Sequence, residues 1–145
     1  MRCNLVSLFT VVLSAALMQG QTGPCTESAV KKSDLPAADD AFAYMPPYGK
    51  PVVGKPAIKE ANEKSFSDRT NIKSDWVGEH RIVSSPSGDM AYEYGTLHVS
   101  SDSKSKPSAG HEDFEAVMLI VYKAKGAVCQ QVALTMQPLE EKTGH

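Results

Sequence analysis

The sequence predicts an α+β domain in which one helix and a run of long antiparallel strands form a curved sheet with one side covered. Three observations predict this. Residues 57–66 carry the chain's one well-formed helical pattern, residues 71–137 have strand texture almost throughout, and glycine turns at Gly88 and Gly126 join successive strands. The 145 residues leave room for one core and little more. The stretch at residues 87–95 (SGDMAYEYG) organises the rest, because it is a tight turn feeding a strand with aromatics on one face and a lone carboxylate on the other.

The first residues read as an address. Arg2 is the only charged residue before Glu27, and residues 5–18 (LVSLFTVVLSAALM) are unbroken apolar or small residues. That is the pattern of a signal peptide, too short to span a bilayer comfortably and without the polar face of a packed amphipathic helix. Cleavage positions are offered by Ser14 with Ala16 and by Gly20. The expectation is therefore a signal peptide over residues 1–20 and a secreted or periplasmic mature chain, with no membrane association after cleavage. A lipoprotein anchor at Cys25 is disfavoured, since Pro24 would sit at the scissile bond without an N–H. Once Cys3 leaves, Cys25 and Cys129 remain. In an oxidising compartment they could form one disulfide, and two unrelated thiols fit the sequence equally well. Without Arg2, fourteen Lys and Arg face seventeen Asp and Glu, and no basic block is present, which argues against nucleic-acid binding.

Residues 21–38 show little apolar periodicity and read as a linker or frayed helix. A compact domain is expected over residues 39–138, and residues 139–145 as a loose tail. Residues 41–45 (AFAYM), stopped by Pro46-Pro47, read as an edge strand. Pro56 then opens the helix in its first turn, where a missing N–H costs nothing. Residues 72–84 contain two strand-like pieces broken or bulged near Gly78. After the Ser85–Asp89 turn, Met90, Tyr92, Tyr94 and Thr96 alternate with Ala91, Glu93, Gly95 and Leu97. Residues 101–110 (SDSKSKPSAG) read as a solvated connection, residues 114–123 as the strongest strand, and residues 128–137 as the last one.

The order of these features resembles a known superfamily. A short strand ending in Met45-Pro46-Pro47 is followed by residues 49–58 (GKPVVGKPAI) leading into a helix. Trp76 comes next, then Ser87-Gly88-Asp89-Met90-Ala91-Tyr92 with Gly95, and a long strand ending at Tyr122-Lys123. Over roughly residues 39–137 this resembles the nuclear transport factor 2-like superfamily, in particular its secreted SnoaL-like and ketosteroid-isomerase-like members of unassigned function. The resemblance implies a cone: helices on a strongly curved sheet, a pocket at the wide end and, often, a homodimer through the outer sheet face. It implies binding of a small, partly apolar molecule. Some members are isomerases, cyclases or dehydratases, so the fold alone does not fix the function. Two departures stand out. The family's long N-terminal helical part is shortened here, and Ala127-Val128-Cys129 follows Gly126 where a Trp is usual.

Ketosteroid-isomerase chemistry needs a carboxylate base and a hydrogen-bond donor in an apolar pocket. Asp40, beside Asp39, and Glu93 are the candidate bases, against the plainer readings of a solvated turn for the aspartates and of outward exposure or a cross-strand ion pair for Glu93. Tyr44, Trp76, Tyr92 and Tyr94 are the candidate ligand contacts, against simple sheet packing. His80 and His98 could meet across adjacent strands. The four histidines lack metal-ligand spacing, and neither a nucleophile elbow nor a phosphate loop occurs, so no metal or cofactor is expected. The sequence leaves open an enzyme, a binding domain, and a dimerisation module with a vestigial pocket.

Overall fold

The computed structural model describes residues 22–32, 35–46, 48–106 and 110–139. The expected signal peptide and the tail beyond Leu139 lie outside them. The elements are α1 (Glu27–Lys31), β1 (Ala37–Tyr44), β2 (Val52–Val53), α2 (Lys55–Phe66), β3 (Arg69–Ser84), β4 (Met90–Ser103), β5 (His111–Lys125) and β6 (Val128–Pro138). They form one six-stranded sheet in the order β2-β1-β6-β5-β4-β3. Strands β3 to β6 are an antiparallel meander, β1 runs parallel to β6, and β2 adds antiparallel to β1. The architecture is α+β, a strongly curved, mostly antiparallel sheet with two helices. Strands of 16, 14 and 15 residues, twisted as all such strands are, cannot stay flat. The face they curl around carries the core, built from Ala91, Leu97, Ala116, Met118, Ile120, Tyr122 and Met136.

Pro56 sits in the first turn of α2, as expected, and the helix packs on β1 and β2 without burying any residue fully. The alternation expected along β4 is also present, with Ala91, Glu93, Gly95 and Leu97 buried and Met90 and Tyr92 exposed.

Three expectations change. Residues 41–45 are not an edge strand: β1 starts at Ala37 and lies between β2 and β6. Its buried positions are Ala38, Ala41 and Ala43, residues of low strand propensity that hide the alternation from a propensity reading. The connection at residues 101–110 is not wholly solvated, since β4 continues to Ser103, and Ser101 and Ser103 are buried. Ser103 Oγ donates to Asp68 Oδ2 (2.6 Å), and Ser105 donates to the same carboxylate through its backbone N–H (2.9 Å) and hydroxyl (2.7 Å). These bonds hold the Asp68 carboxyl below its ordinary range, the two serine hydroxyls contributing most.

The segment expected as a linker or frayed helix carries the short helix α1 and is strapped to the sheet. Thr26 caps α1 by accepting from the Ala29 N–H (3.2 Å), while Cys25 and Val30 are fully buried. Cys25 and Cys129 are joined in a disulfide. Backbone bonds add to it: the Gly23 N–H donates to the Ser87 carbonyl and the Cys25 N–H to the Gly88 carbonyl, both at 2.8 Å. A Cβ on Gly23 would stand 2.2 Å from the Gly88 oxygen, so only glycine lets the two backbones meet there. Asp89 firms the turn from within, accepting from the hydroxyls of Ser85 and Ser87 (2.5 Å each).

Candidate functional site

Two adjoining clefts open along the curled-in face. The larger, about 430 Å³, is apolar, with Phe66, Ile72, Leu97, Val99, Phe114 and Met136 among its walls and the paired Arg69 and Glu112 at its polar side. The smaller, about 360 Å³, is lined by Leu35, Trp76, Glu93, Ile120, Tyr122 and Gln131. Met118 belongs to both and divides them.

The smaller cleft is built around Glu93. Strand alternation turns Glu93 inward with Ala91, Gly95 and Leu97, so its carboxylate sits on the cleft wall at only 9% exposure. A buried carboxylate needs partners, and Glu93 has two. The Tyr122 hydroxyl donates to Oε2 at 2.7 Å. His80 Nε2 lies 2.8 Å from Oε1, and toward an ionised carboxylate, which only accepts, that nitrogen is the donor. Burial, then the hydrogen bond to Glu93 and its charge, push the Tyr122 phenol well above its ordinary pKa, so Tyr122 remains the donor.

A bulge puts His80 in reach. On a regular strand, Trp76 and His80 would stand four residues, roughly 13 Å, apart. In β3 the pairing steps from Val77–Thr96 directly to His80–Gly95, looping out Gly78 and Glu79, and Gly78 takes the positive φ (69°) that the loop requires. Trp76 and His80 thus become successive inward residues and stack, with ring centroids 4.0 Å apart and planes 10° from parallel. Gly95 makes space for the stack, since a Cβ there would lie 2.9 Å from the Glu79 carbonyl oxygen and 3.0 Å from the Trp76 ring.

Of the candidates drawn from the sequence, the structure brings Glu93 and Trp76 together in the cleft. Asp40 is exposed on β1, Tyr44 is 43% exposed, and neither lines this cleft. Tyr92 and Tyr94 stack on each other (5.9 Å between centroids) on the opposite face of β4. His80 and His98 do not meet across strands, because His80 is opposite Gly95 and His98 is opposite Asp75. His98 instead contacts Asp113 (2.5 Å) on the outer face. Sequence reasoning missed Tyr122 and the role of His80. The signal for Tyr122 was strand parity: Tyr122 pairs with Ala91 and Ile120 with Glu93, so Tyr122 and Glu93 are diagonal neighbours on one face.

No family model and no curated protein matches this sequence. Solved structures do. A ketosteroid isomerase-like protein from Erwinia carotovora atroseptica is 14% identical, with a TM-score of 0.58 over 72% of this chain and 77% of that one. A nuclear transport factor 2-like superfamily protein from Salmonella enterica is 9% identical, with a TM-score of 0.61 over 77% and 78%. A hexachlorocyclohexane dehydrochlorinase, LinA-type3, from Novosphingobium barchaimii is 13% identical, with a TM-score of 0.58 over 72% and 68%. At these identities the likeness speaks for the backbone and not for chemistry. The chain has the curved α+β fold of the nuclear transport factor 2-like and ketosteroid-isomerase-like proteins.

Proposed function

We propose that this protein is an exported domain that binds a small, partly apolar molecule on the curled-in face of its sheet. One observation carries the reading: an apolar cleft adjoins, across Met118, a second cleft whose wall holds a buried, hydrogen-bonded carboxylate. Apolar walls with a few fixed polar groups are the usual make-up of a ligand site. The test is a thermal-shift series on the mature chain with small carbonyl compounds and steroids, since a ligand that binds the native state raises the melting temperature. A flat response across the series would count against a working pocket.

A second reading has an observation of its own. Glu93 lies on the cleft wall within hydrogen-bond reach of both a phenol and an imidazole, the residue types used for proton transfer. In that case Glu93 is the base, and Glu93→Gln should lower turnover of a hit compound by about two orders of magnitude or more. A binder has no turnover for the substitution to lower.

Export is supported by the apolar run at residues 5–18 and by the Cys25–Cys129 bond, since disulfides persist in oxidising compartments. Mass spectrometry of the chain from a secreting host should find it starting near Gln21 with no free thiol. Retention of residues 1–20 would refute export by this route.

A homodimer through the outer face is supported by a row of exposed apolar groups. Val83 and Tyr92 are exposed side by side on β3 and β4, the half-buried Val121 continues the row on β5, and Leu119 and Val117 are exposed beside it. Sedimentation should give a dimer for the native chain and a monomer for Leu119→Glu. A native monomer at micromolar concentration would end the idea.

A further inference from the structure

The two clefts differ in charge in a way that specifies a ligand. Among the described residues, Glu93 is the only carboxylate lining the smaller cleft, and no Lys or Arg lines it. Its two hydrogen bonds, one on each oxygen, leave further lone-pair positions, because a carboxylate offers about four. An indole, Trp76, belongs to the same wall, stacked on the His80 ring. The adjoining cleft is apolar, and the one Lys or Arg that lines it among the described residues, Arg69, is already held by Glu112.

Building on the proposed binding function, we propose that the ligand is an amphiphile with a single cationic amine head. The ammonium docks on Glu93 beside Trp76, and the apolar tail passes Met118 into the larger cleft. The orientation follows from the same contrast, because a head turned the other way would meet a carboxylate, Glu112, that Arg69 already neutralises. An anionic head is disfavoured at either end, by Glu93 in one cleft and by Glu112, which already occupies the Arg69 guanidinium, in the other. The carboxylate then has a plain purpose: its burial is costly for a purely apolar ligand, and an ammonium compensates it with a charge-assisted hydrogen bond.

The test uses a built-in probe. Trp76 is the only tryptophan in the sequence, so intrinsic emission reports on the smaller cleft alone. The full mature chain is titrated with decylammonium, decanoate and decanol below their aggregation thresholds. The expected result is a saturable change in Trp76 emission with decylammonium at a concentration about tenfold or more below that for decanoate, decanol lying between. Glu93→Gln should remove the preference for the amine while leaving decanol unchanged. Tyr122→Phe, which keeps the carboxylate and frees one of its oxygens, should retain it and guards against a misfolded Gln variant. Decanoate binding as tightly as the amine, or an unchanged amine preference in Glu93→Gln, overturns the cationic head while leaving the binding reading in place. Silence with all three probes overturns both.

Discussion

Removing the Cys25–Cys129 disulfide is expected to destabilise the domain by about 3–5 kcal/mol. The bond closes a loop with a sequence separation of 104, close to the whole described chain. In the chain-entropy view, a cross-link over about 100 residues restricts the unfolded ensemble by nearly 5 kcal/mol, and measured values usually fall somewhat lower. For a domain whose total stability is on the order of 5–15 kcal/mol, that is a large share. The native-state effect points the same way. The disulfide anchors a strap that buries Val30 in the core and carries Leu35 to the wall of the Glu93 cleft. Urea unfolding of Cys25→Ser/Cys129→Ser and of the reduced native chain should give the same lowered midpoint. If the oxidised and reduced chains unfold at one urea concentration, the strap contributes nothing and the argument fails.

The same strap marks where local reading of the sequence stopped. Residues 90–97 and 114–123 were legible because burial alternates strictly along them, and parity alone turned Glu93 inward. The helix was legible because Pro56 can sit only in its first turn. The N-terminal segment was not, since what orders it comes from elsewhere: the backbone of Ser87 and Gly88, and the sulfur of Cys129. Ser101 and Ser103 looked like loop because the carboxylate that receives the Ser103 hydroxyl, Asp68, belongs to a distant stretch. The site itself was half legible. A bulge near Gly78 could be inferred from the glycine, but its size decides parity. With Gly78 and Glu79 both looped out, His80 falls on the side of Trp76. Asp40, Tyr44, Tyr92 and Tyr94 are chemically as suitable as the residues that line the cleft. They are separated from it by position in the sheet, which residue type does not encode.

Gly95→Val is the substitution expected to damage the site most directly. Gly95 is not among the positive-φ glycines, so its requirement is one of space and not of backbone conformation. The added Cβ would meet the Glu79 carbonyl oxygen at 2.9 Å and the Trp76 ring at 3.0 Å, with two further methyls behind it. The carbonyl is backbone and cannot swing away, so the indole must move, and it is stacked on the imidazole that binds Glu93. Overpacking of this kind costs about 1–3 kcal/mol. The loss should come with a changed near-ultraviolet circular dichroism signal from Trp76 and a weakened response to any cleft ligand. Gly126→Ala is the control: Gly126 has φ 61° with nothing within 4 Å of an added Cβ. Its cost is the left-handed backbone alone, about 1–2 kcal/mol, with Trp76 undisturbed. Both variants can therefore lower stability by similar amounts, and Trp76 separates them. A Gly95→Val chain with native Trp76 signals and native ligand response would mean that the indole does not lie over Gly95, and the cleft wall described above would have to be redrawn.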